Sequence, residues 1–425
     1  MVQKHRLCIL LAVFTLISLV TVSNISVHAE TWLTPGGMFG SAATVDNEGN
    51  LLVVGSSDAF SNGQSQAFFF KYVYENGARP LGERSCMRTY GDTQPLQTFG
   101  YGITTDVSDN IYFTGASQTF DQENYHVFLQ EFTYSCTLIY SQEWGGTGND
   151  IPHGITTDTI GNVYVVGSTD SFGNGVTQIF LLKYDNTGEL RFSQTWGTSN
   201  SFGDGVAVDN MGNIYVVGTT TYSDSGSQIV LLKYDPSGNL RTLKTIGGGV
   251  YSSYGTGVAV DSSGNVYVTG YSYALGPTPG ISAVILLKYD PEGNLLYQAI
   301  WGGKQNDAAT AVAVDIDGNV YLTGETKSYS NVPNVPNAFL LKLDPSGNLL
   351  FQRVWGASKG EFGYGIAVDG IENAYVTGYT FSFGPNTQGA NFFVLKYDIA
   401  GNLQWTRLYG GGIATDPGLP WAALY

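Results

Sequence analysis

Short apolar runs alternate with tight polar turns along most of the chain, and residues 257–303 show this pattern in full. Two turns stand out there, Asp-Ser-Ser-Gly-Asn at 261–265 and Asp-Pro-Glu-Gly-Asn at 290–294. Asp bonds back to its own backbone, Pro presets φ and Gly supplies a positive φ, so each turn predicts a hairpin. The pattern therefore predicts four antiparallel strands, which we place at 257–260, 266–269, 284–289 and 295–301.

This unit occurs seven times, and successive copies are 51 to 60 residues apart. The first turn of each copy begins with an aspartate: Asp46, Asp106, Asp158, Asp209, Asp261, Asp315 and Asp369. The third strand of each unit is apolar almost throughout, which is typical of a strand covered on both faces. The repeat predicts an all-β, seven-bladed β-propeller with four antiparallel strands per blade over residues 40–411. A segment at 30–39 precedes it and a tail at 412–425 follows. How the ring closes stays open, because no copy is visibly split between the two ends.

The segments GVAVDSSGNVYVTG (257–270) and ILLKYDPEGNLLYQAIWGG (285–303) resemble the seven-bladed β-propeller repeat family called SBBP. The first half of the unit also resembles the NHL repeat, although Thr269-Gly270 stands where that family usually has Ala-Asp. The resemblance covers residues 40–411 and implies the propeller fold. It implies no single function, because unrelated functions are built on one fold.

The N-terminus has the features of an export signal. Lys4, His5 and Arg6 precede an apolar run at 7–20, and Val-His-Ala at 27–29 offers a cleavage site. We expect residues 1–29 to be a signal peptide of a secreted or cell-envelope protein; an uncleaved anchor is the alternative. Cleavage would leave 17 basic and 35 acidic residues, and 17 − 35 gives a net charge of −18. This charge argues against nucleic-acid partners. We expect no membrane span after cleavage, and a monomer.

Two cysteines remain after cleavage, Cys86 and Cys136, and both map to one end of neighbouring repeats. Export permits a disulfide between them. The bond requires their Cα atoms to lie within about 7 Å, whereas the outer strands of neighbouring blades diverge. A bridge and two unpaired thiols both remain open.

The repeated polar residues are interpreted as structural. Each repeat aspartate is expected to cap its own turn. Asp315 and Asp317 form the only D-x-D-G copy, a weak calcium candidate without the later ligand positions of a calcium loop. A lysine recurs on the third strand, and an ion pair with the aspartate of its own repeat is expected. These lysines are Lys71, Lys183, Lys233, Lys288, Lys342 and Lys396.

Aromatic residues recur in the connections that should lie on the face opposite the tight turns. An inner set precedes the first strand by three residues and comprises Phe99, Phe202, Tyr254 and Phe362. An outer set follows the second strand and comprises Phe60, Phe120, Phe172, Tyr329 and Phe383. Both sets could pack between blades, and so could the tryptophans that end the fourth strands, at 144, 196, 301 and 355. The inner set is the candidate for ligand binding.

Candidate catalytic residues are few. His153 lies near Asp150 on the loop face, but one histidine beside one aspartate forms neither a triad nor a metal cluster. No cofactor motif is present. The sequence favours a non-catalytic binding or scaffold module for protein or glycan at the cell surface. An extracellular lyase or hydrolase acting on a polymer, and a purely structural surface component, are the alternatives.

Overall fold

The computed structural model describes residues 27–32, 38–58, 65–72, 84–90, 97–118, 124–173, 175–222, 226–384 and 389–411. All regular secondary structure within these ranges is β-strand. The strands are β1 (Val27–Trp32), β2 (Met38–Val45), β3 (Leu51–Ser57), β4 (Gln66–Tyr72), β5 (Arg84–Tyr90), β6 (Thr98–Thr105), β7 (Ile111–Gln118), β8 (Tyr125–Phe132), β9 (Leu138–Trp144), β10 (Asp150–Thr157), β11 (Val163–Thr169), β12 (Gln178–Tyr184), β13 (Leu190–Trp196), β14 (Ser201–Val208), β15 (Ile214–Tyr222), β16 (Gly226–Tyr234), β17 (Leu240–Ile246), β18 (Ser253–Val260), β19 (Val266–Ser272), β20 (Ala283–Tyr289), β21 (Leu295–Trp301), β22 (Asp307–Val314), β23 (Val320–Thr326), β24 (Asn337–Leu343), β25 (Leu349–Trp355), β26 (Glu361–Val368), β27 (Ala374–Thr380), β28 (Asn391–Tyr397) and β29 (Leu403–Gly411).

Strands β2 to β29 form seven antiparallel sheets of four consecutive strands, which confirms the predicted propeller. Blade 1 is β2–β5, and the blades follow in chain order to blade 7, β26–β29. Each third strand is buried along most of its length, whereas the fourth strands of blades 2, 3, 5 and 6 alternate between exposed and half-buried positions. The apolar clusters of the core each join residues of two neighbouring blades. The blades are therefore held together by their faces.

The innermost strands are longer than the sequence predicted. In blade 5 the strand begins at Ser253, four residues before the predicted start at residue 257. The sequence pattern missed this part because a β-bulge interrupts the alternation: the register shifts between Gly255 and Gly257. The same bulge recurs in the first strand of every blade. It leaves one residue per blade unpaired at the ring axis.

The ring closes between two complete blades. Strand β1 adds to blade 7 as a fifth strand, parallel to β29, so the N-terminal segment lies on the outer edge of that blade. Blade 1 and blade 7 share an apolar cluster that includes Phe68, Phe70, Phe392 and Tyr409. The predicted cleavage after residue 29 falls within β1 and would remove its first half.

Cys86 and Cys136 form a disulfide, with 6.5 Å between their Cα atoms. Cys86 lies in β5, and Cys136 occupies the second hairpin turn of blade 2 at a positive φ of 63°. The bond joins blades 1 and 2 at their outer edges. Of the described residues, none belongs to a helix that could cross a membrane.

Candidate functional site

The repeat aspartates are used in turn construction, as the sequence predicted. In blade 5, Asp261 Oδ1 accepts from the backbone N–H of Ser263 and of Asn265, at 3.0 and 2.9 Å. Its Oδ2 accepts from the Asn265 side chain at 2.8 Å and from the Tyr267 hydroxyl at 3.0 Å. With four donors on one carboxylate, little capacity is left for a ligand.

The calcium candidates follow the same scheme. Asp315 accepts from the backbone of Asp317 and Asn319, from the Asn319 side chain and from the Tyr321 hydroxyl. Lys342 Nζ lies 3.7 Å from its Oδ2. In the part of the chain that the structure describes, no three His, Cys, Asp or Glu side chains come together as metal ligands.

The lysine column differs from the prediction in three blades. Lys71 pairs with Asp46 of its own blade at 3.0 Å. Lys342 Nζ lies 3.7 Å from Asp315 and donates to Glu372 of blade 7 at 2.9 Å. In blades 3, 4 and 5 the ammonium instead donates to a proline carbonyl in the second hairpin turn of the next blade, at 2.9 to 3.1 Å. These lysines therefore join neighbouring blades.

The outer aromatic set packs against the tryptophans that end the fourth strands. Trp301 stacks on Tyr329 with 4.8 Å between ring centroids and also contacts Phe339 of the next blade at 4.8 Å. Trp144 contacts Phe172, and Trp355 contacts Phe383 in the same way. The outer set thus fills space between blades. Phe60 and Phe120 lie outside the described residues.

The seven bulge residues line a central channel with a cavity of about 220 Å³. They are Ser41, Tyr101, His153, Asp204, Thr256, Thr310 and Tyr364. Each stands five positions before the aspartate of its repeat, yet their identities differ from blade to blade. The repeated scaffold therefore presents a non-repeated polar lining at its axis.

His153 lies in this lining and its neighbour is Asp204 of blade 4. His153 Nδ1 is 2.9 Å from the Gly203 carbonyl and 3.7 Å from Asp204 Oδ1. Asp150, which the sequence paired with His153, directs its carboxylate to Gly146, Thr169 and Ser171 at the start of β10. It supports a loop of blade 3 and lies in a separate hydrogen-bond network.

Burial in the narrow channel shifts both groups toward their neutral forms. It raises the pKa of Asp204 to about 8 and lowers the pKa of His153, although the Gly203 carbonyl opposes the second shift. About a third of the Asp204 side chain still faces the channel, because its surroundings are the walls of an opening. A carboxylic acid that keeps its proton near neutral pH can donate a hydrogen bond.

The inner aromatic set lies near the start of the innermost strands, two positions before the bulge residues that line the channel. Phe99, Phe202, Tyr254 and Phe362 occupy the same position of β6, β14, β18 and β26, seven residues before the repeat aspartate. These strands belong to four different blades, and of the four residues Phe362 lines a second cavity described below. Tyr254 stacks on Tyr271, Phe362 stacks on Tyr379, and Phe99 lies 5.8 Å from Tyr125. Phe202 is exposed.

Blade 6 has no aromatic residue at this position of its first strand. Blades 1, 2, 4, 5 and 7 carry an aromatic ring at the position, blade 3 carries Ile151, and blade 6 carries Ala308. The missing side chain leaves a cavity of about 300 Å³ between blades 5 and 7 on the loop face. We call it the blade-6 pocket. Its walls include Tyr271, Tyr273, Phe362 and Tyr364.

Glu325 lies in the wall of this pocket, directly across the strand pair from Ala308. The equivalent residue of the neighbouring blades is Tyr271 or Tyr379. Burial raises the pKa of Glu325, and Lys327 opposes that shift. Unlike the repeat aspartates, the Glu325 carboxylate accepts no hydrogen bond from any residue in the described ranges. It is therefore a half-buried acid that serves no turn or blade contact.

Three residues of these two cavities were not predicted from the sequence: Ala308, Glu325 and Asp204. The sequence does contain a signal for each, because each residue stands at a fixed distance from the aspartate of its repeat. Ala308 lies seven residues before Asp315, Asp204 lies five before Asp209, and Glu325 lies ten after Asp315. The position of the β-bulge could not be predicted from the sequence. The bulge determines which of these equivalent positions face the channel and which face the pocket.

A closed ring of seven four-stranded sheets around a polar channel defines the β-propeller class. Three segments, residues 139–174, 245–277 and 300–330, match the β-propeller repeat family SBBP. The chain is therefore a seven-bladed β-propeller that contains three segments matching this repeat family.

The chain is also similar to other proteins at low sequence identity. An uncharacterized WD repeat-containing protein of Acanthamoeba polyphaga mimivirus is 24% identical over 223 residues, covering 38% of this chain and 16% of that protein. A puromycin hydrolase variant complexed with PGG has a TM-score of 0.50 and 13% identity, covering 89% of this chain and 54% of the hydrolase. The β-propeller domain of the Trilobed protease from Pyrococcus furiosus has a TM-score of 0.49 and 12% identity, covering 88% of this chain and 96% of that domain. This chain thus spans only a small part of the viral relative.

Proposed function

We propose that this protein is an exported, non-catalytic binding module that holds a glycan or protein ligand on the loop face of the propeller. The blade-6 pocket carries the proposal. It combines aromatic walls with a carboxylate that the scaffold leaves without a hydrogen bond in the described residues, and ligand sites are concave, largely apolar and equipped with a few polar groups.

The remainder of the site geometry supports this choice. Tyr271, Phe362 and Tyr364 are held in place by stacking or edge contacts with other rings, so they would lose little entropy on binding. The pocket adjoins the central channel, because Thr256, Thr310 and Tyr364 line both cavities. A ligand could therefore extend from the pocket into the channel mouth.

The test is a screen of the purified protein against surface glycans and secreted proteins, repeated with Ala308→Phe. Phenylalanine occupies this position in sister blades, so the variant should fold while its ring fills the pocket. Loss of a ligand in Ala308→Phe would support the proposal. Binding that survives both Ala308→Phe and the combined alanine variant of Phe99, Phe202, Tyr254 and Phe362 would refute the loop-face site.

A second candidate function rests on the channel. His153 and Asp204 face each other there with opposite pKa shifts, an arrangement that suits acid–base chemistry on a polymer. A lyase or hydrolase activity on extracellular polymers would then depend on His153. Activity that is unchanged in His153→Ala would exclude this assignment.

A further inference from the structure

We infer that the blade-6 pocket binds one neutral sugar ring of a glycan. This inference rests on the proposed binding function and specifies the ligand of the same site. Three properties of the pocket support it: its size, the arrangement of its rings, and the mixture of its polar groups.

The size selects a single ring. A cavity of about 300 Å³ lies at the lower end of small-molecule sites, which range from about 300 to 1,000 Å³. A folded peptide segment would need a larger groove. The pocket accepts one compact six-membered ring, with the rest of a chain leaving toward the channel or solvent.

Aromatic walls on two sides suit the faces of a sugar. Tyr271 and Tyr273 of blade 5 meet edge to face, with 6.1 Å between their ring centroids. On the side of blade 7, Phe362 and Tyr364 each stack on Tyr379, at 4.9 and 5.6 Å. A pyranose ring presents C–H groups on its faces, and these groups pack on aromatic surface without requiring a hydrogen bond.

The polar groups of the pocket match hydroxyl groups. Glu325 offers an acceptor, and Lys327, two residues further on, offers a donor. Asn306 accepts from the Ser282 backbone through its Oδ1 at 3.0 Å, so its amide nitrogen is the part available to donate. Each sugar hydroxyl both donates and accepts, so a pocket with both kinds of group can satisfy a polyol.

The charges of the pocket argue against an ionic ligand. Lys327 lowers the pKa of Glu325 against the effect of burial, so the two side chains interact electrostatically. A ligand ammonium would gain from Glu325 but be repelled by Lys327. An anion would meet Glu325 and the net charge of −16 of the whole chain. A neutral polyol avoids both penalties.

The experiment titrates the purified protein with the methyl glycosides of glucose, galactose, mannose and N-acetylglucosamine, followed by calorimetry and ligand-observed NMR. At least one should bind saturably, with Kd near 1 mM as expected for about −4 kcal/mol. Ala308→Phe should abolish binding. Ile151→Phe, which places the same ring in the same column of blade 3, is the matched control and should bind like the wild type.

Substitutions at Glu325 separate a polyol from a cation. Glu325→Gln keeps an acceptor oxygen, so affinity for the sugar should fall only about two- to fivefold, whereas Glu325→Ala should lose at least about tenfold. Choline serves as the cationic probe. Equal losses in the two Glu325 variants, or tighter binding of choline than of any sugar, would overturn the inference.

Two further outcomes separate this inference from the proposed function. If no methyl glycoside binds at up to about 50 mM, well above the expected Kd, the inference is wrong. Should a protein ligand from the screen still be lost in Ala308→Phe, the proposed function stands without the sugar. If every ligand survives Ala308→Phe, neither proposal holds for this pocket.

Discussion

The acidic residues of this protein differ in how many structural hydrogen bonds they form. The repeat aspartate of blade 5 accepts four hydrogen bonds and belongs to the turn. Asp204 and Glu325 instead face openings, and burial raises the pKa of both. A titratable group that lowers stability and forms no structural contact is a candidate functional residue.

Asp204→Asn should stabilise the protein at alkaline pH. An aspartate in the unfolded chain ionises near pH 4, whereas Asp204 in the folded protein ionises near pH 8. Its contribution to stability is therefore fully present below about pH 4 and is lost as pH rises toward 8. Asparagine carries no charge, so the melting temperature of the variant should exceed that of the wild type by roughly 2–4 °C at pH 8 and match it near pH 4.

Thermal unfolding of both proteins at pH 4, 6 and 8 tests this prediction. Asp290→Asn is the control with the opposite sign, because the hydrogen bond from Asn294 lowers the pKa of Asp290. That variant should be less stable than the wild type at pH 8, with the gap closing in acid. A destabilised Asp204→Asn protein at pH 8 would show that the carboxylate is ionised and paired.

At the level of elements, each blade forms its own strand pairs and turns, and its remaining side-chain contacts come from the neighbouring blades. The hairpin turns are closed by their own side chains, while the lysines of the third strands donate across the blade boundary. Trp301 and Trp355 likewise contact the following blade. Blades 1 and 2 have one additional covalent link, the Cys86–Cys136 disulfide.

Removing this disulfide should destabilise the protein by about 4 kcal/mol, because the bond closes a loop with a sequence separation of 50 and restricts the unfolded chain. Urea unfolding of Cys86→Ser/Cys136→Ser measures the loss. Cys136 stands at a positive φ where equivalent turns carry Gly188 or Gly238. Cys86→Ser/Cys136→Gly should therefore be more stable than Cys86→Ser/Cys136→Ser by about 0.5–1 kcal/mol in the free energy of unfolding. Equal stability of the two double variants would show that the turn is not strained.

At the level of the whole molecule, apolar packing closes the ring. Phe70 of blade 1 lies 5.9 Å from Tyr409 of blade 7, and Phe68 lies 6.3 Å from Phe392. Strand β1 adds only to the outer edge of blade 7. Each of the two blades keeps its own four strands, so closure does not depend on a shared sheet.

Deleting residues 1–32 should leave a folded ring, with a melting temperature lower by no more than a few degrees, about 1–3 °C. Phe392→Ala should cost about 3–5 kcal/mol, because Phe392 is fully buried at the closing interface. Urea unfolding and size-exclusion chromatography compare the two variants. A deletion that unfolds the protein while Phe392→Ala is tolerated would mean that β1 holds the ring closed.

The sequence by itself determined the blade and the number of blades. Asp, Gly and Asn build most of the turns through contacts within five residues, and the apolar third strand requires a neighbour on each face. Both features can therefore be predicted from the local sequence pattern. The fourth strand of blade 5, predicted at 295–301, is observed at Leu295–Trp301.

Only the tertiary structure decided which variable residues meet. The β-bulges of blades 3 and 4 bring His153 close to Asp204, which is 51 positions away in the sequence. Asp150 instead accepts hydrogen bonds within a loop network. Ring geometry places Glu325 between the aromatic walls of two other blades, where Ala308 leaves room. These contacts depend on register and on the rotation from blade to blade, which no single repeat encodes, because the local pattern of each copy specifies the blade and not its neighbours.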